Sequence, residues 1–100
     1  MKDLEKMRQA AVQAGGLMRA LSNERRLLIL CHLAAEGEKS VGELAGLLEL
    51  PQATLSQQLA LLRKDGLVRT RREAQTIYYA LNGDAARKVI SVLYEIYCAD

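Results

Sequence analysis

Apolar residues between Leu4 and Leu21 fall at Leu4, Met7, Ala11, Ala14, Met18 and Leu21, every third or fourth position. That spacing predicts a helix with one apolar stripe. Gly15-Gly16 interrupts it, and each glycine is about 1 kcal/mol less favourable in a helix than Ala. Either the helix kinks there or another backbone packs close to it. Ser22 is the expected N-cap of a second helix reaching about Ala35, with Leu27, Leu28, Leu30, Cys31 and Ala34 as its inner face and Gly37 as its stop. Ser40-Val41-Gly42-Glu43 reads as a capping box, opening a short third helix through Leu44, Ala45, Leu47 and Leu48. Pro51 fits the first position of a fourth helix, which runs from Gln52 to about Lys64 with Leu55, Leu59 and Leu62 inward.

After Gly66 the period drops to about two. Val68 and Thr70, then Ile77, Tyr79 and Leu81, alternate with polar neighbours and predict two short strands turning near Glu73-Ala74. Asn82-Gly83-Asp84 restarts a helix whose apolar face is Val89, Ile90, Leu93, Ile96 and Tyr97. The expected architecture is mainly α with a small β-hairpin: four helices, the hairpin, then a fifth helix.

One hundred residues suit one domain, residues 1–100. Half the residues are hydrophobic, yet Phe and Trp are absent, so the core must be built from Leu, Ile, Val and Ala. So short a chain buries a modest core, and a second copy covering spare apolar surface would add stability. The net charge of +2 decides little, but its distribution is informative. Arg63, Lys64, Arg69, Arg71 and Arg72 cluster against the single acid Asp65, whereas Glu36, Glu38, Glu43 and Glu49 precede them. Clustered cations of this kind suit phosphate. The start of the chain turns acidic at once and lacks the apolar run of a signal peptide. The aliphatic run Leu27 to Cys31 is far too short for a membrane span. A cytoplasmic protein is expected, with its cysteines kept as thiols.

The third and fourth helices, tightly joined, fit a helix-turn-helix. The fourth helix is about 18–20 Å long at about 1.5 Å per residue, long enough to lie in a DNA major groove about 12 Å wide. Gln52, Thr54, Ser56, Gln57 and Gln58 give it amides and hydroxyls that can hydrogen-bond base edges, with few charges. The cations come afterwards, on Arg63, Lys64 and the hairpin. Base contacts specify and phosphate contacts position, and the two kinds of residue are separated along the chain.

Glu43-Leu44-Ala45, Leu55-Ser56-Gln57-Gln58-Leu59-Ala60, Asp65-Gly66-Leu67-Val68 and Arg71-Arg72-Glu73-Ala74-Gln75-Thr76-Ile77-Tyr78-Tyr79 together resemble the ArsR/SmtB family of winged helix-turn-helix repressors. The likeness spans roughly residues 17 to 98. It implies a homodimer built through the first and last helices, with the fourth helix reading double-stranded operator DNA. The hairpin wing, through Arg71, Arg72, Gln75 and Thr76, would lie on the backbone. Two positions depart from the family pattern: Pro51 stands where a Ser often caps the helix, and Ala74 where a Gly commonly turns the wing.

Metal-sensing members of that family carry either a Cys-x-Cys pair on the third helix or Asp, His and Glu ligands on the last. The third helix here has no thiol, and His32 is the only histidine. No metal site and no cofactor is expected. Cys31 and Cys98, with Leu-Cys-His-Leu-Ala-Ala-Glu-Gly at 30–37 and Ile-Tyr-Cys at 96–98, resemble the BigR/SqrR/YgaV dithiol subgroup, to which HlyU is related. That resemblance implies a sulfide- and redox-responsive repressor. Reactive sulfur species or an oxidant would join Cys31 to Cys98 by a disulfide or polysulfide and release DNA.

From the residues alone the matter stays open. Cys31 lies on an apolar face, where a free cysteine is commonly a small hydrophobe. Cys98 lies near a helix C-terminus, whose negative dipole end does not favour a thiolate. A regulator independent of its thiols, or one responsive to metal, is the alternative. A thiol enzyme is disfavoured because Cys31 and His32, as helix neighbours, point about 100° apart.

Overall fold

The computed structural model describes residues 3–98. Its elements in order are α1 (Leu4–Leu21), α2 (Glu24–Glu36), β1 (Lys39–Ser40), α3 (Val41–Leu48), α4 (Gln52–Lys64), β2 (Val68–Glu73), β3 (Thr76–Leu81) and α5 (Ala85–Tyr97). Five helices and a hairpin in this order make a winged helix-turn-helix, as expected.

Helix ends follow local side-chain chemistry. Asp3 caps α1 by accepting the Lys6 amide at 2.9 Å. The cap of α2 is Asn23 and not Ser22: its Oδ1 accepts the Arg25 and Arg26 amides at 2.9 and 3.1 Å. Ser22 instead closes α1, its hydroxyl donating to the Arg19 carbonyl at 2.7 Å. The reason is conformational. An N-cap needs extended backbone; Asn23 has it, with φ −112° and ψ 127°, while Ser22 has ψ 7°. The capping box of α3 forms as expected, Ser40 Oγ accepting from the Glu43 amide and Glu43 Oε1 from the Ser40 amide. Pro51 is the N-cap of α4, one position earlier than expected, because its ψ of 140° is extended rather than helical.

α2 is the central element, touching α1, α3, α4, α5 and β3. Its fully buried residues are Ile29, Leu30 and Leu33. The expected inner face was therefore turned by roughly one position: Leu27, Cys31 and Ala34 are half-buried at the margin, and Leu28 is 47% exposed. Around α2 pack Leu21, Leu44, Leu55, Leu59, Leu62, Val68, Leu81 and Ile90. The core is aliphatic throughout.

The sheet has three strands in the order β1-β3-β2. β1 lacks any warning in the sequence, since two residues carry no period. It pairs Lys39 with Tyr79 and Ser40 with Tyr78. In the hairpin, Val68 faces Leu81, Thr70 faces Tyr79 and Arg72 faces Ile77. Paired residues share a face, so this side meets the core at its Val68–Leu81 end, while Arg71 and Tyr78 lie on the other. Ala74 takes φ +55° at the tip, a left-handed conformation that disfavours a Cβ by roughly 1–2 kcal/mol.

α1 is unbroken through Gly15-Gly16, and a Cβ at either would meet only the Arg19 side chain at 3.9 Å. Among the described residues, then, neither a break in the helix nor a close backbone accompanies the glycine pair. The stripe Leu4, Met7, Ala11, Ala14 and Met18 is exposed; only Ala20 and Leu21 of α1 are buried. α5 behaves similarly toward its end. Ile90 is buried and Val89 and Leu93 half-buried, but Ile96 and Tyr97, on the same expected apolar face, are exposed at 64% and 79%. No described helix is long and apolar enough to cross a membrane.

Candidate nucleic-acid interface and thiol pair

Between α3 and α4 the chain reverses in three residues. Glu49 is left-handed at φ 55°, the Leu50 amide donates to the Ala45 carbonyl, and Pro51 is extended. Burial of Leu55, Leu59 and Leu62 then fixes the phase of α4. At about 100° per residue, Ala53, Gln57 and Lys64 point away from the core, with Ala60 beside them. All four are exposed, as are Gln52, Ser56 and Arg63. Thr54 and Gln58 are half-buried, and the Gln58 Oε1 is buried without a hydrogen-bond partner. The proposed readers thus divide into an outward set, Gln52, Ser56 and Gln57, and an inward-leaning pair, Thr54 and Gln58. Ala53 and Ala60 are candidates the composition of the helix conceals. A methyl side chain can pack on a thymine methyl, and the leucine phase was the signal that places them outward.

Arg63 and Lys64 occupy the last turn of α4, where cations also complement the helix dipole. On the hairpin Arg71 is engaged rather than free. Its Nη2 lies 2.7 Å from Glu38 Oε1 and its Nε 3.1 Å from Glu38 Oε2. Its Nη1 donates to Glu73 at 2.8 Å, and its guanidinium stands 4.8 Å from the Tyr78 ring centroid. The Arg71 hydrogen bond holds the Glu38 carboxyl below its ordinary range, and Glu38 in turn raises Arg71 further. Arg72 donates Nε to the Ala74 carbonyl at 3.2 Å, bracing the turn. Gln75 and Thr76 are exposed at the tip.

Cys31 and Cys98 are both free thiols. Cys31 sits half-buried on α2; Cys98 is the exposed C-cap of α5, its amide donating to the Tyr94 carbonyl at 2.8 Å. The two helices pack together. Burial pushes the Cys31 thiol up, and the charge of Cys98 adds to the shift. A raised thiol is mostly protonated near neutrality and a sluggish nucleophile. His32 Nε2 is buried without a partner. Among the described residues, no three of His, Cys, Asp and Glu cluster as metal ligands would.

The model of the bacterial regulatory proteins of the arsR family matches residues 23–70, from the cap of α2 into β2. The transcriptional activator HlyU of Vibrio cholerae is 49% identical over 96 residues, covering 96% of this chain and 88% of its own. The chain belongs to the ArsR family. A biofilm growth-associated repressor of Agrobacterium fabrum is 47% identical over 96 residues, 96% of this chain and 81% of its own. The structure of reduced HlyU from Vibrio cholerae superposes with a TM-score of 0.89 at 49% identity, covering 96% of this chain and all of the other. As an ArsR-family protein the chain is a transcriptional regulator that binds operator DNA through its helix-turn-helix, and not an enzyme.

Proposed function

We propose that this ArsR-family regulator is a homodimeric repressor that leaves its operator when Cys31 and Cys98 become covalently linked. The observation that carries the reading is the thiol pair itself: one cysteine on α2 and the other capping α5, two helices that pack together. α2 supports the DNA-reading unit through α3 and α4, and α5 carries the exposed apolar surface on which a second copy would seat. A link between them therefore couples sensing to the spacing of two recognition helices, which a palindromic site needs at about 34 Å. Joining two thiols releases two protons and two electrons. Peroxide would take the electrons and yield water; the sulfane sulfur of a persulfide would take them and yield hydrogen sulfide. A coupling of about 1–3 kcal/mol would loosen binding by roughly 5–150-fold.

Gln52, Ser56 and Gln57 are the proposed base readers, with Thr54 and Gln58 at the edge of that face. Arg63, Lys64, Arg71, Arg72, Gln75 and Thr76 are the proposed backbone contacts. The exposed outward face of α4 supports the first set. The raised thiol of Cys31 favours the competing reading of a thiol-independent regulator.

Fluorescence anisotropy on operator DNA separates the two. Reduced protein should bind with affinity falling steeply in salt, and treatment with a persulfide donor should weaken it at least about fivefold. Cys31→Ser and Cys98→Ser should each abolish the response. Release of DNA by either variant on the same treatment would overturn the thiol switch.

A further inference from the structure

We propose that the cavity between α2 and α5 selects the sulfur donor, admitting small organic persulfides or disulfides that carry a carboxylate, with Arg87 holding that carboxylate while Cys31 receives the sulfur. This rests on the thiol-switch reading and adds to it the class of donor.

The cavity measures about 290 Å³. Small-molecule sites commonly span about 300–1,000 Å³, so this one suits a ligand of few heavy atoms rather than a nucleotide or a flavin. Cys31 lies in its wall beside Ala34, Ala35, Ile90 and Tyr94, an apolar surround that gives a hydrated inorganic anion little to bind. Ser91 contributes a hydroxyl and, among the described residues, Arg87 is the only charged group and no acid lines the space. Among the described residues Arg87 makes no ion pair, in contrast to Arg71, which makes two. A cation that makes no ion pair with the described residues, at the rim of a small apolar pocket, favours an anionic guest. Binding also answers the weakness of the thiol. A mostly protonated Cys31 reacts slowly with dilute oxidants, whereas a donor held beside it gains from its effective concentration.

The chemistry balances. The Cys31 thiolate attacks the outer sulfur of RS–SH, the S–S bond breaks, and RSH leaves after taking the proton, giving Cys31–S–SH. The Cys98 thiolate then attacks the inner sulfur, forming Cys31–S–S–Cys98 and releasing hydrogen sulfide. With an organic disulfide, the first step gives Cys31–S–SR and RSH.

The test uses Cys98→Ser protein without DNA, so only the first step is read. Three small symmetrical disulfides that differ in charge serve as probes: 3,3′-dithiodipropionate (anionic), 2-hydroxyethyl disulfide (neutral) and cystamine (cationic). Intact-mass spectrometry follows formation of the mixed disulfide at Cys31. The anionic probe should react about tenfold faster than the cationic one. Arg87→Gln should erase the preference, Arg87→Lys should retain most of it, and Arg87→Glu should invert it. Equal rates in the parent, or a preference that survives Arg87→Gln, would overturn the proposal. Thermal melts establish that each variant is folded. Failure of the switch reading is seen elsewhere, as a Cys31–Cys98 link that leaves operator affinity unchanged, so the two ideas stand or fall separately.

Discussion

Glu38 and Arg71 illustrate how a single wing residue acquires properties its neighbours in sequence do not convey. Glu38 sits 33 positions before Arg71, and β1 brings it alongside the hairpin. In the run Arg71-Arg72 both cations look equally available to phosphate. In the fold Arg71 is neutralised by two carboxylates and rests on Tyr78. DNA phosphate must therefore compete with Glu38 for it. Glu38→Gln should tighten binding to operator and to unrelated DNA alike. It should also steepen the salt dependence by about one unit of slope, the signature of one added phosphate contact. Unchanged affinity and slope in a salt titration would show that Arg71 does not reach DNA. The Glu38 carboxyl titrates lower when folded. Whatever stability the pair contributes is thus present above the ordinary carboxylate range and is lost as pH falls through the lower folded value.

At the scale of elements, most of the fold was legible because helices and hairpins announce themselves through nearest neighbours. The capping box at Ser40 and Glu43 and the leucine phase of α4 are local patterns, and they form as read. The misplaced features depend on more than local spacing. Both Ser22 and Asn23 are good caps, and the conformation that ends α1 leaves only Asn23 extended. Asn23→Ala should destabilise the protein by about 1 kcal/mol, while Ser22→Ala should have a clearly smaller effect. Urea unfolding of the two variants distinguishes them, and equal losses would contradict the assignment. β1 exists only because β3 offers it an edge. The inner face of α2 was harder to read because its run from Leu27 to Leu30 is wholly apolar. The neighbours packing on several sides decide which leucine is left outside.

For the whole molecule, the outstanding feature is apolar surface that one chain does not cover. Val12 on α1 is 73% exposed and Ile96 on α5 64%, with Leu4, Met18 and Val92 exposed as well. A groove of about 980 Å³ follows α1 and is floored by Leu17, Ala20 and Leu67. Gly15 and Gly16, where a Cβ would meet nothing but the end of the Arg19 side chain, would let a second backbone approach there. A double variant, Val12→Glu with Ile96→Glu, should sediment as a monomer at micromolar concentration. It should bind a two-half-site operator at least about a hundredfold more weakly, because two linked half-site contacts reinforce each other. A variant that still sediments as a dimer would place the interface elsewhere.

The amino-acid sequence by itself determined the order of helices and hairpin, the aliphatic core, the DNA-reading unit and the identity of the thiol pair. Each of these rests on residue type and short-range spacing. Only the tertiary structure decided that Arg71 is shared with Glu38, that Gln58 leans inward while Ala53 and Ala60 face out, and that Cys31 borders a cavity containing Arg87. Those facts join residues far apart in the chain. Their relative positions follow from how the helices pack around α2, a property of the whole core that no single segment encodes.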